Sequence, residues 1–200
     1  MIRAIDAEEN YNLLLVGPPA SSKTLFLQGI LEIEDGVYFD ATNTTNRILD
    51  VLEEKRPKII CIDELDKMSR PFQNQLLNFL ESGHVKVDQQ KRRYDFTIKS
   101  AKVFASANDI NRLSKPLASR FRKLFLSKYS ESQFLDISEK VLPKLSPSIA
   151  RYIGKRIWDS QGDIRDVIAA AKLVRKNDGP DEIAEIISTI FKYGAEAEVG

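Results

Sequence analysis

Three groups of residues in this 200-residue chain carry the side chains that chemistry on a phosphate ester needs. The first is Gly17-Pro18-Pro19-Ala20-Ser21-Ser22-Lys23-Thr24, an octet rich in small residues that ends in an ammonium and a hydroxyl. A nucleoside triphosphate requires backbone N–H groups converging on its phosphates, one mobile cation near the outer phosphates, and a hydroxyl on the magnesium side. Lys23 would supply the cation and Thr24 the hydroxyl, with the N–H groups of residues 20–24 at the positive end of the following helix. The octet departs from the pattern G-x-x-x-x-G-K-[ST] at Ser22, which stands in place of the second glycine. If the loop needs a left-handed backbone there, Ser22 costs about 1 to 2 kcal/mol and weakens nucleotide affinity. Taken alone, the octet also reads as a Pro/Ser-rich turn before an ordinary helix.

The second group is Asp63-Glu64, at the end of the apolar run Ile59-Ile60-Cys61-Ile62. Two carboxylates at the carboxyl end of a buried strand, downstream of such a loop, make chemical sense beside a cation. Asp63 would orient magnesium or its water, and Glu64 would polarise the water that attacks the outer phosphate. A solvated acidic turn is the alternative for the pair alone, and Asp66 reads as a third participant or as a helix or turn cap. The third group is Asn108, which follows residues 103–107. Its amide offers donor and acceptor together, so it can hold the attacking water or sense the outer phosphate; by itself it would be an Asx turn.

Positioning these groups on one edge requires parallel strands joined by helices. Residues 13–16 form the strand entering the loop and residues 23–31 the helix leaving it. A strand at 37–40 follows Gly36, and Thr42 to Thr45 cap a helix that runs to Glu54 and stops before Pro57. Residues 59–62, apolar on both faces, suit the centre of a parallel sheet covered on each side. Ser69 and Pro71 open a helix with Phe72, Leu76, Leu77 and Leu80 on its apolar face, closed by Gly83. In 85–102 the alternation of Val85, Val87, Tyr94, Phe96 and Ile98 with polar residues predicts a hairpin with a basic tip, Gln89-Gln90-Lys91-Arg92-Arg93. It either touches nucleic-acid phosphates or a protein partner, or is a solvated ribbon. A strand at 124–126 ends this part.

From Lys128 the pattern becomes helical, at 131–141, 148–158, 163–176 and 181–192, separated by Pro143, Pro147, Gly162, Gly179 and Pro180. This is expected to be a small all-helical lid over residues 128–200, after a nucleotide-binding domain over 1–127. Asp163 is a candidate N-cap, Arg165 lies off the apolar stripe Ile164, Val167, Ile168, Ala171 and Val174, and Trp158 belongs to the lid core.

Composition narrows the classes. Thirty basic and twenty-nine acidic residues nearly cancel, so global charge implies no nucleic-acid, membrane or acidic partner. The single cysteine, Cys61, reads as a buried structural thiol in a reducing compartment. His84 beside Gly83 reads as a turn residue. No apolar run approaches a membrane span and no signal sequence opens the chain, so a cytoplasmic location is expected. Little chain precedes the first strand, which leaves little for an adenine pocket and points to a fragment or an abbreviated form.

This ordered set resembles the AAA+ ATPases over about residues 13–192. The resemblance implies a P-loop α/β fold with a parallel five-stranded sheet, ATP and Mg2+ as ligands, and ADP as product. It makes Gly17 to Thr24 the Walker A loop, Asp63 and Glu64 the Walker B pair with Thr24 and Asp63 at the metal, Asn108 sensor 1, and Arg165 the sensor 2 arginine. Arg120 in Ser119-Arg120-Phe121 is similar to the arginine finger that reaches a neighbour's nucleotide, which implies a homo-oligomeric ring such as a hexamer. The hairpin before sensor 1 is similar to that of RuvB-type Holliday-junction helicases, MCM helicases and MoxR ATPases. Pro116-Leu117 through Phe121 looks most like the RuvB group, with Ala118 where that group has another arginine. The implied function is an ATP-driven motor acting on DNA, with a MoxR-like protein remodeller or a nucleotide-binding interaction module as alternatives.

Overall fold

The computed structural model describes residues 9–43, 47–89, 92–175 and 178–194. Thr44, Thr45, Gln90 and Lys91, expected as a helix cap and a hairpin tip, lie outside the described residues, as does Lys176. The chain divides into two compact units, Met1–Ser127 and Lys128–Gly200.

In the first unit five strands make one sheet: β1 (Tyr11–Val16), β2 (Gly36–Asp40), β3 (Ile59–Asp63), β6 (Lys102–Ala107) and β7 (Arg122–Phe125), in the order β2-β3-β6-β1-β7. Every pairing among them is parallel. All residues of β3 and β6 are buried, as central strands covered on both faces must be. Helix α1 (Lys23–Ile33) covers one face, where Leu27 and Ile30 pack with Leu13, Leu15, Cys61 and Phe104. The other face packs Leu14, Ile60, Ile62, Val103 and Ala105 with residues of α2 (Arg47–Lys55), α3 (Arg70–Ser82) and α4 (Lys115–Ser119).

The predicted hairpin is present as β4 (His84–Gln89) and β5 (Arg92–Thr97). Its apolar face joins the core through Val85, Val87, Tyr94 and Phe96. The Tyr94 hydroxyl donates to Asp50 at 2.8 Å, and the Arg56 guanidinium lies 4.4 Å from the centre of the Phe96 ring. On the outward face the register sets Lys86 opposite Asp95 and Asp88 opposite Arg93. These two pairs balance one another across the ribbon, and the excess of the segment as a whole comes from Lys91, Arg92, Lys99 and Lys102. His84, expected in a turn, instead begins β4, and its Nε2 lies 2.9 Å from Asp95 Oδ1. Turn chemistry stops one residue earlier, at Gly83, whose φ of 70° closes α3.

The second unit is helical: α5 (Glu131–Val141), α6 (Pro147–Asp159), α7 (Ile164–Leu173) and α8 (Pro180–Gly194). Helices α5 and α6 approach closely at Gly154, where a Cβ would fall 2.5 Å from the Ser138 hydroxyl. The Phe134 and Trp158 rings pack 5.3 Å apart. Helix α7 ends before the expected residue 176, because Val174 turns to an extended backbone and the Arg175 N–H is taken by the Asp178 carboxylate. Val174 stays buried nonetheless, and Ala170 rather than Ala171 fills the stripe.

Candidate functional site

The phosphate-type loop follows β1 directly, and its shape is fixed by close packing. Gly17 lies so near the chain after β7 that a Cβ would sit 2.6 Å from the Leu126 carbonyl oxygen. Ala20 and Ser22 both adopt left-handed backbone, with φ of 61° and 58°. Ser22 is the residue before α1, so the conformation that favours the missing glycine is kept by a residue with a side chain. Lys23 is 7% exposed. Its Nζ donates to the carbonyl oxygens of Gly17 at 2.8 Å and Pro18 at 2.7 Å, and to Ser21 Oγ at 3.3 Å. The ammonium thus folds back over its own loop.

Asp63 ends β3 beside this loop and is 5% exposed. Hydroxyls from three other elements converge on it. Ser106 of β6 donates to Oδ1, Tyr38 of β2 donates to Oδ2 at 2.7 Å, and the Thr24 hydroxyl at the start of α1 is a further donor. The Glu64 backbone N–H adds a bond to Oδ1 at 3.1 Å. Burial alone would raise the Asp63 carboxyl, but the donors from Ser106, Thr24, Tyr38 and Glu64 outweigh it and hold it below the usual carboxylate value. Tyr38 responds in the opposite sense: burial first, then the bond to Asp63, push its phenol well above the ordinary value. Burial also pushes the Cys61 thiol up to about 12, with Asp63 adding to it, which makes it the inert structural cysteine expected.

Glu64 sits in left-handed backbone at φ 52°, and its N–H receives a second acceptor, the Ser106 hydroxyl, at 2.9 Å. Asn108, just past β6, donates from Nδ2 to Glu64 Oε1 at 3.3 Å. The Asp66 carboxylate is buried and accepts the backbone N–H groups of Asn108 at 3.0 Å and Asp109 at 3.3 Å. Of the two roles open to Asp66 the geometry is capping, applied to the Asn108 turn rather than to its own. Gln73, also buried, receives the Ser114 N–H on its carbonyl and donates to the Met68 carbonyl. It thereby ties the chain after β3 to the chain after β6.

The other two predicted residues make contacts of their own. The Arg120 carbonyl accepts from the side chain of Asn12 near the start of β1, and Arg120 precedes β7, whose Arg122 pairs with Leu13. Arg120 therefore belongs to the amino-end rim of the sheet, whereas the loop, Asp63 and Asn108 lie at the carboxyl-end rim. Its Nη2 lies 3.0 Å from Glu81 Oε1. Arg165 occupies the first turn of α7 in the second unit, where its guanidinium holds Asp163 Oδ2 at 2.6 Å and Asp163 caps the helix.

The oxygens of Thr24 and Asp63 are hard ligands suited to magnesium, an ion that keeps waters and phosphate oxygens in its shell. Among the described residues no group of three His, Cys, Asp or Glu side chains could hold a metal ion alone. That donor set fits a cation brought in with phosphates.

The family model for the ATPase family associated with various cellular activities (AAA) matches residues 13–129, more than half of the chain. The chain belongs to this family. Among solved structures, this AAA chain is similar to mutants of Thermotoga maritima RuvB: one with TM-score 0.66 at 19% identity and another with 0.65 at 18%, each covering 90% of this chain and 62% of the other. At those identities the likeness carries the fold. A Lon protease of Fusobacterium nucleatum is 28% identical over 159 residues, covering 66% of this chain and 21% of its own. The AAA chain thus spans less than two thirds of the length of these relatives. Among its described residues no helix is long and apolar enough to cross a membrane.

Sequence reading missed Tyr38 and Ser106 and left Asp66 open. For Ser106 a signal existed: it lies two residues before Asn108 on a strand and so shares the face that meets the carboxylates. Tyr38 had none, because nothing in a short aromatic strand says which acid its hydroxyl will find.

Proposed function

We propose that this AAA chain is a magnesium-dependent ATPase that works in a homo-oligomeric ring. The observation that carries the reading is one chain of contacts at the carboxyl-end rim: Thr24 on Asp63, Asp63 with Ser106 and Glu64, and Glu64 on Asn108. Residues Gly17, Pro18, Pro19, Ala20, Ser21 and Ser22 form the loop around the phosphates of ATP. Lys23 would leave its carbonyl partners for the outer phosphates, and Thr24 and Asp63 would hold magnesium. When bound, magnesium would neutralise charge that develops on the phosphate oxygens. Glu64 accepts a proton from the attacking water as that oxygen bonds to the terminal phosphorus and the bond to the bridging oxygen breaks, leaving ADP and phosphate. Asn108 positions Glu64 and the water. Arg165 couples the lid over 128–200 to the phosphates, and Arg120 serves the nucleotide of a neighbouring copy.

Glu64→Gln tests this most directly. We expect nucleotide affinity to be kept and steady-state phosphate release to stop; equal rates in variant and parent would refute the assignment. A parent that binds ADP or ATP without releasing phosphate would favour the interaction-module reading, to which the strained Ser22 backbone lends support.

The substrate reading turns on the hairpin 85–102. The fold likeness to RuvB supports a motor acting on DNA. Lys86 opposite Asp95 and Asp88 opposite Arg93 support a second reading, a remodeller of protein clients, since acids interleaved with the bases break up the continuous basic stripe a polyanion would use. Stimulation of hydrolysis by branched DNA but not by unfolded protein supports the first, and the reverse supports the second.

A further inference from the structure

Tyr38 stands on β2, the edge strand, and is 39% exposed. A phenol in that position has water available as its partner. Instead it reaches inward: the register sets Tyr38 opposite Cys61, and its hydroxyl passes diagonally to Asp63, two residues further along the same face of β3. The bond falls on Oδ2, whereas Ser106 and the Glu64 N–H both fall on Oδ1. A carboxylate oxygen accepts about two such bonds. Oδ1 is therefore held by those two donors and Oδ2 by the phenol from the opposite side, with the Thr24 hydroxyl a further donor to the group.

We propose that Tyr38 is a positioning residue for Asp63, one that sets how tightly this chain holds a divalent cation together with a nucleotide. The proposal rests on the ATPase reading above. Two neighbouring strands grip the carboxylate from both sides, Ser106 from β6 and Tyr38 from β2. The plane of the group is then fixed before any ion arrives. Without the phenol, the β6 side and the backbone still hold Oδ1, but Oδ2 loses the donor that fixes it from β2. Donors that orient a metal-ligating group commonly change metal affinity by 10- to 100-fold when removed. Because the phenol touches no phosphate in this reading, its loss acts on the cation and not on the nucleotide itself.

The test uses the full chain and Tyr38→Phe, which removes one oxygen and keeps the ring. Binding of a fluorescent ATP analogue is titrated with magnesium, and binding of Mn2+ with ADP is followed by electron paramagnetic resonance. The half-saturating Mg2+ concentration is expected to rise about tenfold and Mn2+ affinity to fall by a similar factor, with nucleotide affinity in a chelator unchanged. Unchanged Mg2+ and Mn2+ values in the variant, beside a magnesium-dependent parent, overturn this proposal and leave the ATPase reading standing. An equal loss of nucleotide affinity with and without magnesium marks a role in general folding and also overturns it. A parent whose nucleotide binding ignores magnesium overturns the ATPase reading and this proposal together.

Discussion

The Asn108 side-chain amide lies 3.3 Å from Glu64 Oε1, joining the ends of two neighbouring strands. Asn108→Ala removes this donor while leaving the Lys23 loop intact. Phosphate release is expected to fall about 100-fold, within the range for losing one placed donor, with nucleotide affinity changed little. A parallel titration and phosphate-release assay checks both halves.

Asp66 accepts two backbone N–H groups from the Asn108 turn. Asp66→Ala leaves both donors without their acceptor in a buried place, at a cost of about 2 to 3 kcal/mol. Asp66→Asn keeps one acceptor oxygen and should cost less. Urea unfolding of the two variants gives the order, and equal stabilities would contradict the geometry.

Ser22 holds φ at 58° with a side chain attached. Ser22→Gly removes the strain but loosens the unfolded chain, so a net gain of about 0.5 to 1 kcal/mol is expected by urea unfolding. If the strain also weakens nucleotide binding, titration calorimetry will show a lower Kd in the glycine variant.

Acid stability should report on Asp63. Its carboxyl is held below the usual value of 3.8 by hydrogen bonds that outweigh its burial, so in the window below 3.8 the unfolded chain binds more protons than the folded one. The contribution is complete above that value and is lost as pH falls through the lower folded value. Unfolding of the parent and Asp63→Asn from pH 6 downwards should give a stability difference that shrinks in the acid range. A difference independent of pH would contradict the assignment.

Exposed ion pairs such as Arg120 with Glu81 contribute about 0 to 1 kcal/mol, so Arg120→Ala should barely change stability. It is expected to abolish hydrolysis, with partial rescue on mixing with Lys23→Ala chains, because the two defects complement across an interface. No rescue in confirmed assemblies would count against the role in trans.

The parallel sheet and the loop after β1 were legible because local features announce them: apolar runs of strand length, small residues before Lys23, acids ending a buried strand. That Glu64 and Asn108 stand at the ends of strands was legible for the same reason, and the structure brings their side chains together. The grip on Asp63 was not, since Tyr38 and Ser106 reach it across 25 and 43 residues of chain and only strand register brings them there. The sum of charges over the hairpin was legible but their placement was not, since only the register sets Lys86 and Arg93 each opposite an acid.

Arg120 and Asp63 occupy opposite rims of one sheet. A guanidinium on one rim that serves a phosphate on the other can do so only between copies, and the two surfaces that then meet are different faces of the same molecule. Such a heterologous contact never satisfies itself in a pair; it continues until the rotation per copy closes the circle, or grows as an open filament.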